Sequence, residues 1–326
     1  MPEIRIDPLS GHKTIIAGER SRRPGGEPRC TPPDPIEPER DPFAEGHEDR
    51  TPPELYALRE PGSAPNTPGW RVRVVPNLYP ALEQTGAGQP QAPPGELFAC
   101  SAATGAHEVI INGPQPVLSL AELPSEQVLC AVDTWRERMR AHEKHAYLQL
   151  IVNERPEAGA SLPHTHAQLY ALDFVPAEVA RERERFGAYA NRTMGQNLLG
   201  DLVAEEVRLG ERIVAIDEEA VLIAPYASRL PFQLMLVPRR GRERFQDDGP
   251  TGAALLHDGL RRLARHLGAS PPLNLWVRTA PAGAEYFCWR IDVMPRLTHL
   301  AGLELSTGVN LNIVAPEHAA TLLREA

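Results

Sequence analysis

The chain has 326 residues, enough for two modest cores or one fused pair, and its 42% hydrophobic and 24% charged shares are those of an ordinary globular protein. A net charge of −9 excludes a general nucleic-acid binder, yet leaves room for a small-anion site built from a few local groups. No apolar run approaches the roughly 20 residues that span a bilayer, the opening Met1-Pro-Glu-Ile-Arg-Ile-Asp-Pro is charged where a leader is apolar, and four scattered cysteines offer no disulfide framework. A cytoplasmic location is expected, with no membrane partner.

In chain order, Leu9 to Ala17 predicts a turn and one short strand. The rest of the first sixty residues reads as an irregular arm. Eleven of the chain's 34 prolines lie there, in stretches such as Thr31-Pro-Pro-Asp-Pro, and proline fixes φ and removes a donor. Trp70 to Pro76 alternates as a strand, Gln84 to Gly95 is a loop, and Glu108 to Asn112 is a second strand. Leu120 to His142 predicts a helix with Leu129, Val132, Trp135 and Met139 on one face. Strands follow at Tyr147–Asn153 and Ala167–Leu172, and then a charged helix from Ala177 to Arg185 that reads as a solvated face.

The same order then repeats. Ala220–Pro225 and Phe232–Pro238 are short strands, a helix carries Leu256, Leu260, Leu263 and Leu267, and strands follow at Leu273–Arg278 and Tyr286–Met294. The expected fold class is α+β, a duplicated unit of two meandering antiparallel sheets, each with one main helix. The expected divisions are residues 1–64, an arm; 65–176, the first unit; and 177–326, the second unit with a C-terminal substrate-binding segment.

The chemically informative stretch is Asn153-Glu-Arg-Pro-Glu-Ala-Gly159-Ala-Ser161-Leu-Pro-His164-Thr-His166-Ala-Gln168. Side chains two apart on an extended chain share a face, so His164, His166 and Gln168 line one side. Pro163 keeps Leu162 extended. Gly159-Ala-Ser161 offers backbone N–H groups suited to cradling a phosphate. A neutral imidazole in such a place can attack phosphorus, provided that a carbonyl or carboxylate orients its other nitrogen. Two histidines in this spacing are also common metal ligands or plain strand residues.

The stretch resembles the signature of the galactose-1-phosphate uridylyltransferase family, a duplicated histidine-triad fold. The resemblance makes His166 the nucleophile. Gln168 stands where nucleotide-hydrolysing relatives carry a third histidine, and in the transferase branch it hydrogen-bonds the phosphoryl group of the nucleotidylated histidine. Ile6-Asp-Pro-Leu-Ser-Gly-His and Gly18-Glu-Arg20-Ser-Arg-Arg23-Pro resemble the N-terminal arm, which puts Arg20 and Arg23 on substrate phosphates; the alternative for each is a solvent-facing arginine. Val72-Arg-Val-Val-Pro-Asn77 resembles the nucleotide-binding strand, with Asn77 serving the nucleotide, and Asn153 matches a residue near the phosphates. Ser161, Gly159 and His164 complete that group. Gly302-Leu-Glu-Leu-Ser-Thr307-Gly308-Val-Asn310 resembles the segment that helps bind the sugar in the family's homodimer.

The pattern breaks at the metals. Where relatives carry C-P-F-C, this chain reads Asp41-Pro-Phe-Ala44, and the third usual ligand falls on Gln115 or Pro116. His164 alone is kept of four positions, so no zinc and no other cofactor is expected, and a loop closed by packing takes its place. The last strand of the second unit reads Cys288-Trp-Arg290-Ile-Asp292 where relatives have further histidines, and that unit carries no second nucleophile. The implied activity moves UMP between UDP-glucose and galactose 1-phosphate through a uridylyl-histidine at His166, with ping-pong kinetics. The alternatives are a nucleotide-sugar or dinucleotide phosphorylase of the same superfamily, and a nucleotide-binding protein with little turnover.

Overall fold

The computed structural model describes residues 1–22, 28–83 and 97–326. Arg23 and the loop read at 84–95 lie outside them. The first unit consists of β3 (Tyr56–Arg59), β4 (Trp70–Pro76), β5 (Gly105–Ile111), α1 (Ser125–Ala141), β6 (Tyr147–Glu154) and β7 (His166–Leu172). The second consists of β8 (Ile213–Ile216), β9 (Ala220–Ile223), β10 (Leu234–Pro238), α4 (Ala253–Leu267), β11 (Leu273–Arg278) and β12 (Arg290–Pro295). Between them run α2 (Ala177–Thr193) and α3 (Leu198–Leu209). The α+β class and the duplicated unit stand as read.

The two antiparallel sheets meet edge to edge. Leu273–Val277 of β11 pairs with Glu154–Leu150 of β6, so the strands run β3-β4-β5-β7-β6-β11-β12-β10-β9-β8 in one ten-stranded sheet. The order is symmetric about the β6–β11 seam, each unit presenting its fourth strand to the other. An unpaired strand edge leaves a row of N–H and C=O groups without partners, and each unit satisfies the other's edge here. A second, three-stranded sheet joins the chain ends: β1 (Glu3–Ile6) pairs with β2 (Lys13–Ile16), which pairs in parallel with β13 (Asn310–Asn312).

One apolar core lies under the whole large sheet. Val72, Ile110, Leu150 and Leu169 of the first unit and Leu222, Leu234, Leu275 and Ile291 of the second face α1, α4 and α6 (Pro316–Glu325). The helix read from Leu120 starts as a 3-10 turn over Leu120–Glu122 and resumes after Pro124, which cannot donate within a helix. Val128, Val132, Trp135 and Met139 are buried, while Leu129 sits at the rim. Helix α4 buries all four predicted leucines. It lies so close to β9 that a Cβ on Gly259 would come within 2.4 Å of the Leu222 side chain.

The opposite face of the sheet is covered unevenly. Over the second unit, Phe186 of α2 and Leu199 and Val203 of α3 pack on Val221, Ile223, Met235 and Val237. Over the first unit, the apolar cover is a small cluster around Phe43, Trp70, Val75, Val109 and Ile111. The charged helix α2 is not solvated all round. Glu182 is buried, and it takes both terminal nitrogens of Arg290 at 3.0 and 2.9 Å, with Arg278 3.5 Å away. Arg290 also reaches Asp292 at 3.0 Å. A carboxylate so placed needs these guanidiniums to offset its burial, and they hold its pKa below the usual range against that burial.

Glu154, at the end of β6, is fully buried and accepts from the Ser119 hydroxyl and the Leu120 N–H, both at 2.7 Å. It thereby caps the 3-10 turn. Burial pushes its pKa up to about 7, against the pull of those two bonds. The folded chain thus holds a proton there that the unfolded chain releases near the ordinary glutamate range. Stability falls as the pH rises through that range and levels off above about 7, by about 3 kcal/mol in all. Glu154→Gln does not ionise. Its stability relative to the wild type is therefore expected to rise between pH 5 and pH 8, as read from urea midpoints; an unchanged difference at the two pH values counts against the buried proton.

Candidate active site

Strand β7 carries the candidate residues His166 and Gln168. Ala167, Leu169 and Ala171 point into the main core, and the alternation turns His166, Gln168 and Tyr170 to the sparsely covered face. The register places Gln168 opposite Val109 of β5 and Ile151 of β6, and Tyr170 opposite His107. The third residue of the motif does not share this face freely. Thr165 N–H donates to the Val117 carbonyl at 2.8 Å, and His164 sits before the strand begins, fully buried.

His166 Nδ1 lies 2.7 Å from the carbonyl oxygen of His164. A carbonyl only accepts, so Nδ1 carries the proton and Nε2 presents its lone pair. The orienting group that the sequence left open is this carbonyl. Burial pushes the His166 pKa down, more than the hydrogen bond raises it, which favours the neutral, nucleophilic form. The edge of Phe43 packs on the ring, with centroids 5.2 Å apart and planes at 68°, and the ring is 6% exposed.

His164 was counted among the substrate-binding residues, and the structure corrects this for its side chain. Nδ1 is 2.6 Å from Asp41 Oδ2 and Nε2 donates to the Gly113 carbonyl at 2.8 Å, so neither ring nitrogen is left for a ligand. Asp41 Oδ1 in turn accepts the Phe43 N–H at 2.9 Å, and the Asp41 carbonyl meets His47 Nδ1 at 2.7 Å. The segment expected to close by packing is thus closed by a buried acid–imidazole contact. Its residues do not fit a zinc ion. Tetrahedral zinc needs four donors, Ala44 and Pro116 have none, and both His164 nitrogens are spent. Among the described residues, no three His, Cys, Asp or Glu side chains converge as a metal would need.

The other predicted residues fall into two groups. Asn77 follows β4; its N–H donates to the His107 carbonyl, and its Oδ1 accepts from the Tyr79 N–H. Asn153 of β6 accepts from Asn274 Nδ2 at 2.8 Å, and the same Asn274 nitrogen holds the Ala158 carbonyl at 2.7 Å. Asn274 therefore ties β6 to the turn that leads into Gly159. Gly159 has φ +87°, the left-handed form that closes the short 3-10 turn over Pro156–Ala158, and Ser161 is exposed.

Arg20, Thr307, Gly308 and Asn310 lie elsewhere. Arg20 is exposed after β2, Thr307 and Gly308 end the short helix α5 (Gly302–Thr307), and Asn310 opens β13. Their small sheet docks on the second unit through Thr14 to the Ala227 carbonyl and Asn312 to the Ser228 and Leu230 carbonyls. Among the described residues, no hydrogen bond or ion pair links these four to the His166 cluster. Ile4, Ile6, Leu303 and Leu305 are exposed beside them.

Sequence reasoning missed four neighbours of the cluster: Phe43, His107, Tyr170 and Asn274. The period of two from Gln168 was a sufficient signal for Tyr170. The other three are brought in by pairings across 61 residues or more, as for His107 with Gln168.

A family model described as "Galactose-1-phosphate uridyl transferase, N-terminal domain" matches residues 1–176, and a model of a domain of unknown function matches residues 118–325. The ADP-glucose phosphorylase of Arabidopsis thaliana is 28% identical over 337 residues, covering 99% of this chain and 93% of that protein. The galactose-1-phosphate uridylyltransferase of Cryptococcus neoformans is 26% identical over 354 residues, covering 99% and 89%. Among solved structures, an ADP-glucose phosphorylase from Arabidopsis thaliana with bound ADP-glucose superposes with a TM-score of 0.81 at 26% identity, covering 100% of this chain and 99% of that one.

Proposed function

The chain belongs to the galactose-1-phosphate uridylyltransferase family of the histidine-triad superfamily, and from that premise we propose that it moves UMP between UDP-glucose and galactose 1-phosphate through a covalent uridylyl-histidine at His166. The observation that carries this reading is the His166 ring, whose Nδ1 proton goes to the His164 carbonyl and leaves Nε2 its lone pair, on the same face of β7 as Gln168. Nε2 attacks the α-phosphorus of UDP-glucose, a P–N bond forms, and the bond to the bridging oxygen breaks with its electron pair leaving on glucose 1-phosphate. A phosphate oxygen of galactose 1-phosphate then attacks the same phosphorus and the electron pair returns to Nε2.

In this scheme Gln168 donates to the phosphoryl oxygens, Asn153, Gly159 and Ser161 place the phosphates, and Asn77 serves the nucleotide. Arg20, Thr307, Gly308 and Asn310 come to the site from a second copy of the chain, a reading supported by the lack, among the described residues, of any hydrogen bond or ion pair from them to the His166 cluster, and Arg23 is assigned with them. Members of the superfamily that pass the nucleotide to inorganic phosphate use the same first step. The likeness to the Arabidopsis ADP-glucose phosphorylase, along nearly the whole of both chains, favours that second reading for base and acceptor.

The test is intact-mass measurement after mixing the protein with UDP-glucose or ADP-glucose alone. A mass gain of UMP on the His166 peptide, discharged by galactose 1-phosphate and not by inorganic phosphate, is the expected result. An AMP adduct discharged by phosphate establishes the phosphorylase instead, and absence of any adduct excludes both.

A further inference from the structure

We propose that His107 and Tyr170 are positioning residues that fix the side-chain amide of Gln168 with its N–H₂ turned toward the reacting phosphate. The inference rests on the reading that a phosphoryl group comes to His166. An amide side chain presents an acceptor on one side and donors on the other, and a half-turn about its last bond exchanges them. A phosphoryl oxygen needs the donor side, so the glutamine helps only if something stops that half-turn.

The structure supplies two stops. The hydroxyl of Tyr170 and Nε2 of His107 each lie 3.0 Å from Gln168 Oε1. Whether His107 donates is settled by its other nitrogen. The backbone N–H of Ala81 points at Nδ1 from 3.2 Å, and a backbone N–H has no choice but to donate. Nδ1 therefore holds the lone pair and the proton sits on Nε2. Burial pushes the ring's pKa down, in keeping with one proton and not two. The Asn77 amide nitrogen, 3.1 Å from the same Nε2, then faces a proton; its Oδ1 is taken by the Tyr79 N–H, so this approach is a contact and not a hydrogen bond.

Two donors thus fill both lone pairs of Gln168 Oε1. Turning the amide over sets its own N–H₂ against the Nε2 proton of His107 and forfeits that bond outright, while the Tyr170 hydroxyl must give up its donation and turn to accept. The platform itself is rigid: the His107 and Tyr170 rings are stacked with centroids 4.0 Å apart, and the two residues are directly paired across β5 and β7. Among the described residues nothing accepts from the Gln168 N–H₂. That donor pair remains for the substrate.

The test uses Tyr170→Phe, which deletes one hydroxyl and keeps the stack, alone and combined with His107→Leu. The rate of adduct formation on His166 is expected to fall about tenfold for the single variant and about a hundredfold for the double, with KM little changed, as loss of transition-state donors does. His107→Gln keeps an acceptor for Ala81 and a donor for Gln168, and is expected to restore most of the rate. Unfolding midpoints read alongside separate these effects from loss of fold. Wild-type rates in the double variant, or a KM that rises at constant kcat, overturn the proposal. The ¹⁵N resonance of the Gln168 amide gives a readout without turnover: one fixed orientation in the wild type, and averaging in the double variant. If the wild type forms no adduct, the reading of function fails, and that resonance still decides whether the amide is held.

Discussion

His166→Ala is expected to form no nucleotide adduct and to lose at least about a thousandfold in turnover, because the step that it removes has no substitute on the sheet face. The neighbouring groups that face the same side are an amide, a phenol and a neutral imidazole bound at both nitrogens. None offers a free lone pair on nitrogen. The second unit provides no understudy either, since its matching strand presents Arg290 and Asp292, with Arg290 tied both to Asp292 and to Glu182. The fold, by contrast, draws one hydrogen bond from this ring among the described residues, to the carbonyl two residues back. The unfolding midpoint in urea is therefore expected to stay near that of the wild type. Turnover within tenfold of the wild type in a well-folded His166→Ala protein ends the covalent scheme.

The second large effect is on stability. Asp41→Ala strips the partner from a fully buried imidazole nitrogen and leaves the Phe43 N–H without its acceptor. Removing one member of a buried pair costs about 3–5 kcal/mol, since the remaining group keeps the penalty of burial without the compensation. The damage is expected to reach catalysis as well, because Phe43 packs against His166 and the His164 carbonyl orients it. Urea titration of the variant reads the first effect and adduct formation the second. The same protein treated with a strong zinc chelator is expected to lose neither stability nor activity. A stability loss below about 1 kcal/mol in Asp41→Ala would show that the contact is incidental.

Much of this architecture was legible in the sequence, for identifiable reasons. Strands β4, β6, β7 and β11 show clear periodicity and end near prolines or polar turns, and α4 has four leucines at helical spacing. Helices α3 and α6 escaped, and so did some short or marginal strands. Strand β1 is almost wholly exposed and β3 half-buried throughout, so neither has an apolar alternation to read, and both are ordered by their partners. The seam between β6 and β11 was hidden because nothing local tells a strand which edge it will meet. At the site, the shared face of His166 and Gln168 was legible because they lie two apart on one strand. Loss of the zinc donors was legible too, but not what replaced them. Asp41 meets His164 across 123 residues, and only the folded chain brings that pair together.

The continuous ten-stranded sheet has a consequence for how this enzyme can change, both in a catalytic cycle and over evolutionary time. With five backbone-paired residues on each side of the midline, the two lobes are one plate, and no bending between them can clamp a substrate. Whatever shuts out water must be laid across the bare half from above. The silent lobe is likewise free to drift in its chemistry, but not to disappear. Cutting it away would bare the β6 rim beside β7 and invite the fragments to stick to one another.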